Sequence, residues 1–136
     1  MTTRQFHISD ILTITTGRLV SSRHVDGVYD ILNWMTGDSL HTHQLPRGMD
    51  ECAPSLREQF PDLAAIVPPG DLGGEEQVRA WVAGQVRAHG ETREVAPLAP
   101  GGHAHMDPVT ELRKMAPQAE IIGRHDRGQV RELLPE

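Results

Sequence analysis

Apolar residues recur at helical spacing in two stretches of the chain. The first runs from Asp26 to Thr36 and the second from Glu75 to His89. In each, apolar positions three or four residues apart fall on one side of a helix, and a glycine follows as a stop signal. The pattern predicts two amphipathic helices, with buried positions at Val28, Ile31, Leu32 and Met35 in the first and Val78, Trp81, Val82 and Val86 in the second.

Three further helices are predicted from their start and stop signals. Ser9 is a candidate N-cap for a short helix that reaches Thr16, although β-branched residues leave a strand open here. A helical region runs from Pro46 to Phe60, where Pro54 is expected to restart or kink the helix. Asp107 and Pro108 combine a cap with proline at the first helical position. The buried stripe of that last helix is expected at Val109, Leu112 and Met115.

Short β-favouring segments predict a small sheet. They are Arg18–Ser21, Leu40–Gln44, Arg93–Leu98 and Glu120–Gly123. The residues after Asp126 are expected to form one or two helical turns or to fray. We therefore expect an α+β fold with about four short, mostly antiparallel strands and four to five helices. Residues 1–136 form one domain in this interpretation, with an N-terminal module (1–66), a Pro/Gly-rich linker (67–74) and a C-terminal module (75–136).

Composition narrows the class of protein. A chain of 136 residues with 38% hydrophobic residues suits one globular domain. Its longest apolar stretches fall short of the roughly 20 residues that cross a bilayer, and no secretion signal is evident, so we expect a protein of the host cell cytoplasm without membrane contact. The single cysteine, Cys52, excludes an internal disulfide and is expected to be a small buried filler.

The formal charge of −6 works against binding of double-stranded DNA, which depends on neutralising phosphates. The basic residues are 12 Arg and one Lys. Arginine binds phosphate or carboxylate with two parallel hydrogen bonds. Codon usage in a GC-rich genome is the alternative explanation for this bias.

Two His-x-His pairs, His41/His43 and His103/His105, are candidate metal ligands, the second pair with Asp107 nearby. Against a metal, residues 103–105 read as a loop and Asp107 is explained by capping, so we expect unconnected surface histidines, no bound metal and no cofactor. No nucleophile elbow, phosphate-binding loop or dinucleotide fingerprint is present. The chain is therefore not expected to be an enzyme.

The densest set of hydrogen-bonding groups follows the first amphipathic helix. It comprises Thr42, His43, Gln44 and Arg47, and Asn33 and Trp34 of the preceding helix can add an amide and a stacking surface. Such a set suits a nucleotide, with Arg on phosphate and Gln on a base edge or ribose. Equally, these groups can satisfy the backbone at a junction between elements while Trp34 fills the core.

The same residues carry a resemblance. Ile-Thr-Thr-Gly-Arg-Leu at 14–19, Gly-Val-Tyr-Asp-Ile-Leu-Asn-Trp-Met-Thr-Gly-Asp at 27–38 and Thr-His-Gln-Leu-Pro-Arg at 42–47 resemble a family of small bacteriophage and prophage proteins described as a domain of unknown function. The segment His-Met-Asp-Pro-Val-Thr-Glu-Leu at 105–112 resembles the C-terminal part of that family. In size and order of elements the chain is also similar to the Thoeris anti-defence sponges, which are oligomers that bind cyclic ADP-ribose isomers.

The resemblance implies a phage anti-defence protein that acts by binding. Its first candidate role is sequestration of a small cyclic nucleotide signal by Asn33, Trp34, Thr42, His43, Gln44 and Arg47. The alternatives are an inhibitor of the anti-CRISPR type that binds a host defence protein, and a metal-dependent hydrolase. We expect at least a homodimer, because a protomer of this size encloses a nucleotide more easily at an interface.

Overall fold

Three helices form the centre of the fold. The computed structural model of the chain describes residues 2–115. Helices α1 (Ile8–Thr16), α2 (Val25–Thr36) and α3 (Leu45–Gln59) pack against one another, and the short helix α4 (Pro61–Ala64) packs against α1 and α3. The buried apolar residues from 8 to 63 come from these helices and the segments between them, including Ile11, Leu12, Ile31, Leu32 and Leu56.

Helix α1 is buried along almost its whole length, from Ile8 to Thr15. Its threonines are compatible with burial because their hydroxyls bond backbone carbonyls of the preceding turn, as Thr13 does with Ser9 at 2.9 Å. The predicted N-cap at Ser9 is wrong. The ring of His7 accepts a hydrogen bond from the Ser9 N–H at 3.0 Å, so the helix is capped two residues earlier. Gly17 ends the helix with φ of 75°, as predicted.

Helix α3 continues through Pro54 without a break. Of the two predicted alternatives, a restart of the helix at Pro54 is therefore wrong. Pro54 lies on the exposed side of the helix, where water can satisfy the carbonyl that a proline leaves without a donor.

The sheet of the described residues consists of two antiparallel strands, β1 (Arg4–His7) and β2 (Thr92–Val95). Arg4 pairs with Val95 and His7 with Thr92. Only Phe6 and Val95 of the ribbon are buried in the core. The α+β prediction holds in the coarse sense of mixed helix and sheet, whereas about four strands were expected and β1 was missed.

Two of the predicted strands, Arg18–Ser21 and Leu40–Gln44, are not strands in the structure, because side chains accept the hydrogen bonds of backbone N–H groups in these segments. In Arg18–Ser21, the N–H of Val20 bonds the hydroxyl of Thr13 at 3.1 Å. In Leu40–Gln44, the N–H of Leu40 bonds the side-chain oxygen of Asn33 at 3.0 Å, and Thr42–Gln44 form a turn of 3-10 helix. Backbone groups satisfied in this way are not available for a strand ladder.

Helix α5 (Glu75–His89) has the predicted bounds, but Val82 is its one buried residue. Helix α6 (Pro108–Met115) begins as predicted, whereas its predicted apolar stripe is wrong. Val109 and Met115 are exposed, and Glu111 is the buried residue of this helix. No helix among residues 2–115 is long and apolar enough to cross a membrane. The predicted strand Glu120–Gly123 and the tail after Asp126 lie outside the described residues.

Candidate functional site

The segment Thr42–Arg47 joins the 3-10 turn to α3 and faces the start of α6. The Thr42 hydroxyl hydrogen-bonds the Tyr29 hydroxyl. The ring of His43 contacts the carbonyl oxygen of Pro108 at 2.7 Å. Gln44 donates to the carbonyl of Met106 at 3.0 Å and accepts from the N–H of His41 at 2.9 Å. The structure therefore brings these predicted residues together, and each of them has a partner inside the chain.

Arg47 forms the strongest interaction of this junction. Its guanidinium donates two hydrogen bonds of 2.8 Å to the carboxylate of Glu111, whose side chain is 6% exposed. It also bonds Glu51 at 3.0 Å and the carbonyl of Ala104. The bond to Arg47 lowers the pKa of Glu111, and the bond to Glu111 raises the pKa of Arg47. This two-pronged ion pair ties α3 to α6.

Asn33 and Trp34 lie on α2 and serve different neighbours. Asn33 caps the N–H of Leu40, and the indole N–H of Trp34 donates to the carbonyl of Val95 in β2 at 3.1 Å. Ligand binding by the six predicted residues stays a prediction. In the structure, the polar groups of these residues form hydrogen bonds that connect α2, α3, β2 and α6.

The structure contains a cavity that was not predicted from the sequence, away from Thr42–Arg47. It lies between α5 and residues 18–24, has a volume of about 770 Å³ and is open to solvent on one side. Its walls combine valines and a leucine with serine, histidine, arginine and glutamate side chains. The lining residues are His7, Leu19, Val20, Ser21, Ser22, His24, Glu75, Val78, Arg79, Val82, Ala83, Val86, Arg87 and Glu91.

Residues 18–24 form their wall of the cavity by an irregular path between α1 and α2. The N–H of Ser22 bonds the hydroxyl of Ser9 at 3.1 Å, which holds the path against α1. His24, immediately before α2, has φ of 56°, a conformation that favours glycine. Non-glycine residues in this conformation are found preferentially at ligand-binding and catalytic sites.

A buried carboxylate supports this wall from behind. Asp10 of α1 is 0% exposed and accepts hydrogen bonds from the Ser21 hydroxyl at 2.5 Å and from Arg23 at 2.6 Å. Gly27 packs so closely on it that a Cβ atom there would lie 2.3 Å from the carboxylate. A buried charge requires such partners. From the sequence, Asp10 is an acidic residue in the first turn of a helix, and nothing in the pattern predicts its burial.

His103 and His105 share a carboxylate partner, so the expectation of unconnected surface histidines is wrong for this pair. His103 contacts Asp38 at 2.9 Å through one ring nitrogen and Glu51 at 2.5 Å through the other. His105 contacts Asp38 at 2.8 Å. Burial lowers the pKa of His103, but the hydrogen bonds to Asp38 and Glu51 outweigh burial, so this pKa is raised. Asp107 caps α6 through the N–H of Thr110 at 3.1 Å, as expected, and is not part of the cluster.

Cys52 lies in the core and forms no disulfide within the described residues, in agreement with its predicted role as a filler. Burial raises the pKa of its thiol to about 12. A thiol of this kind is protonated at neutral pH, which removes it from the candidate nucleophiles.

Comparison with known families finds a match over part of the chain. Residues 6–66 are similar to a family described as "Domain of unknown function (DUF7736)". The matched segment contains the end of β1 together with α1, α2, α3 and α4, and with them most of the buried apolar core. The match agrees with the expected resemblance to a family of unknown function, and it assigns no activity. No curated protein matched the chain, and neither did any solved structure.

Proposed function

We propose that this chain is a binding protein that sequesters a small nucleotide-like ligand in the cavity between α5 and residues 18–24. The observation that carries the proposal is the cavity itself. Its volume of about 770 Å³ lies in the range of roughly 300–1,000 Å³ that is usual for small-molecule sites. The proposal keeps the nucleotide ligand inferred from the sequence and places it at a different site from Thr42–Arg47.

The chemistry of the cavity supports a ligand with one flat apolar part and one polar part. Val78, Val82 and Val86 lie along one side of α5 and form an apolar wall against which a base can pack. Ser22 supplies a hydroxyl near the ribose of such a ligand, and Arg79 and Arg87 supply guanidinium groups for phosphate. Glu75 and Glu91 balance these charges, which favours a ligand with few phosphates over a highly charged one.

For the biological role, we propose a bacteriophage anti-defence protein in the host cytoplasm that removes a cyclic nucleotide signal without catalysis, and that assembles at least as a homodimer. The support is the sequence resemblance described above. The alternative is an inhibitor that binds a host defence protein through an acidic surface, and the formal charge of −6 supports it. Light scattering distinguishes a dimer from the 15.0 kDa protomer.

Ligand binding is tested by filling the cavity with a large side chain introduced on α5. Ala83 lines the cavity, whereas Ala80 is exposed on the same helix and is not part of the lining. We would titrate wild type, Ala83→Trp and Ala80→Trp by calorimetry with ADP-ribose, cyclic ADP-ribose isomers, cyclic AMP and cyclic di-AMP. We expect saturable binding of one of these by wild type and Ala80→Trp, and at least a tenfold loss in Ala83→Trp.

Equal binding by both tryptophan variants would place the ligand elsewhere, with Thr42–Arg47 the next candidate. If none of the probes binds, mass spectrometry of small molecules released by heat from protein incubated in phage-infected lysate extends the search. Absence of any released ligand would overturn sequestration in favour of the protein-directed inhibitor.

A further inference from the structure

We propose that Asp38, His103 and His105 form a binding site for a divalent transition metal ion such as Zn²⁺. Each residue offers one ligand atom, and the three atoms lie within 4.8 Å of one another. The Asp38 oxygen that faces the histidines is 2.9 Å from Nε2 of His103 and 2.8 Å from Nδ1 of His105. The site is separate from the cavity and does not depend on the proposed nucleotide ligand.

The backbone holds the two sides of this site. Asp38 follows Gly37, the left-handed C-cap of α2, and its other carboxylate oxygen accepts the N–H of Ser39 at 2.7 Å. This bond directs the remaining oxygen towards His103 and His105. The N–H of Ala104, between the two histidines, bonds Glu51 of α3 at 3.0 Å and holds that segment against the helix.

Glu51 supplies the second feature of a metal site. Its carboxylate lies 2.5 Å from Nδ1 of His103, on the opposite side of the ring from Asp38. Histidines that bind metals almost always donate their second ring N–H to a carboxylate, a carbonyl or water, which fixes the tautomer and raises the basicity of the ligating nitrogen. In the proposed metal-bound form, the Nδ1 proton of His103 is directed to Glu51 and the lone pair of Nε2 to the ion beside Asp38. Glu51 is therefore a positioning residue for the metal ligand.

The ligand types point to a transition metal rather than to calcium or magnesium. Two imidazole nitrogens and one carboxylate suit Zn²⁺, Co²⁺ and Ni²⁺, whereas Ca²⁺ and Mg²⁺ prefer oxygen ligands alone. The side chain of His105 is 76% exposed and that of His103 is 10% exposed. The ion would thus enter from the solvent side at His105, and water would complete a four-coordinate site.

The same contacts also suit a network of ion pairs without a metal, and the experiment distinguishes the two. Protein purified without a histidine tag is treated with a chelator, dialysed, and titrated with Co²⁺ by visible spectroscopy and with Zn²⁺ by calorimetry. We expect one equivalent to bind, with the visible absorption bands of four-coordinate cobalt. His105→Ala should lower the affinity at least tenfold. Because the His105 side chain is 76% exposed, the variant should fold as wild type does, which circular dichroism would verify.

Two further variants complete the test. His41→Ala removes another exposed histidine outside the cluster and should bind the metal as wild type does. Glu51→Gln keeps the side-chain shape and removes the carboxylate, and we expect about a 10- to 100-fold loss of affinity, as is usual for such second partners of a ligating histidine. Absence of saturable binding, or equal affinities of wild type and His105→Ala, would overturn the site and leave an ion-pair network.

Discussion

Replacement of Arg47 by alanine tests whether the predicted ligand-binding segment holds the fold together. The variant leaves the Glu111 carboxylate, 6% exposed, without its two hydrogen bonds of 2.8 Å. Loss of one partner of a buried ion pair costs about 3–5 kcal/mol. Since the Arg47 side chain is itself 23% exposed, water can reach part of the site, and we expect the lower end, about 3 kcal/mol.

The assay is denaturant unfolding, supported by thermal melting. For a chain of this length, 1 kcal/mol corresponds to about 3–4 °C in Tm, so a decrease of about 10 °C is expected. Arg79→Ala is the matched control, because Arg79 is 68% exposed and meets Glu75 only at 3.9 Å. Exposed pairs contribute about 0–1 kcal/mol. The double variant Arg47→Met/Glu111→Leu should regain most of the lost stability, since it leaves no buried charge unpaired.

A loss below about 1 kcal/mol in Arg47→Ala, similar to that in Arg79→Ala, would refute this reasoning. Arg47 would then be available for the anionic ligand that the sequence suggested. Normal stability together with weaker nucleotide binding would return the candidate site to Thr42–Arg47.

Three other predictions follow from individual contacts. Gly27→Ala should destabilise the protein by about 1–3 kcal/mol through overpacking against Asp10. The control Gly84→Ala makes the same change on a helix surface and should stabilise the protein by about 0.5–1 kcal/mol. Denaturant unfolding of both variants measures the difference. Cys52, with a pKa of about 12, should resist alkylation at pH 8 until the protein unfolds, and rapid labelling of native protein followed by mass spectrometry would contradict its burial. Because the pKa of Glu111 is lower in the folded protein, its ionised carboxylate stabilises the fold above the unfolded pKa of about 4.3, and this stabilisation is lost as the pH falls through the folded pKa. The difference in free energy of unfolding between wild type and Arg47→Met should therefore shrink on acidification from about pH 7 to about pH 3. A constant difference would exclude this linkage.

Local signals in the sequence were sufficient for the main helices. The bounds of α5 and the buried residues of α2 follow from apolar spacing along a single helix, and Gly17 and Gly37 take the left-handed conformations expected at helix ends. These features depend on residues within a few positions of each other, so periodicity and capping chemistry determine them before any tertiary contact forms.

Tertiary structure decided which distant groups meet. Strand β1 exists because residues about ninety positions later pair with it, and no local pattern specifies such a partner. The backbone donors of Leu40 and Val20 are taken by side chains of preceding helices, which turns two β-favouring segments into loops.

The same reason separates the predicted Thr42–Arg47 site from the cavity and from the histidine cluster. Two His-x-His pairs are visible in the sequence, but only the fold shows that His103 and His105 meet Asp38 rather than His41. In the sequence Glu111 resembles any surface carboxylate, and only the packing of α6 shows that it pairs with Arg47. Side chains far apart in sequence acquire their chemistry from the partner that packing places beside them, and that partner is set by the minimum of the whole chain's free energy rather than by any single segment.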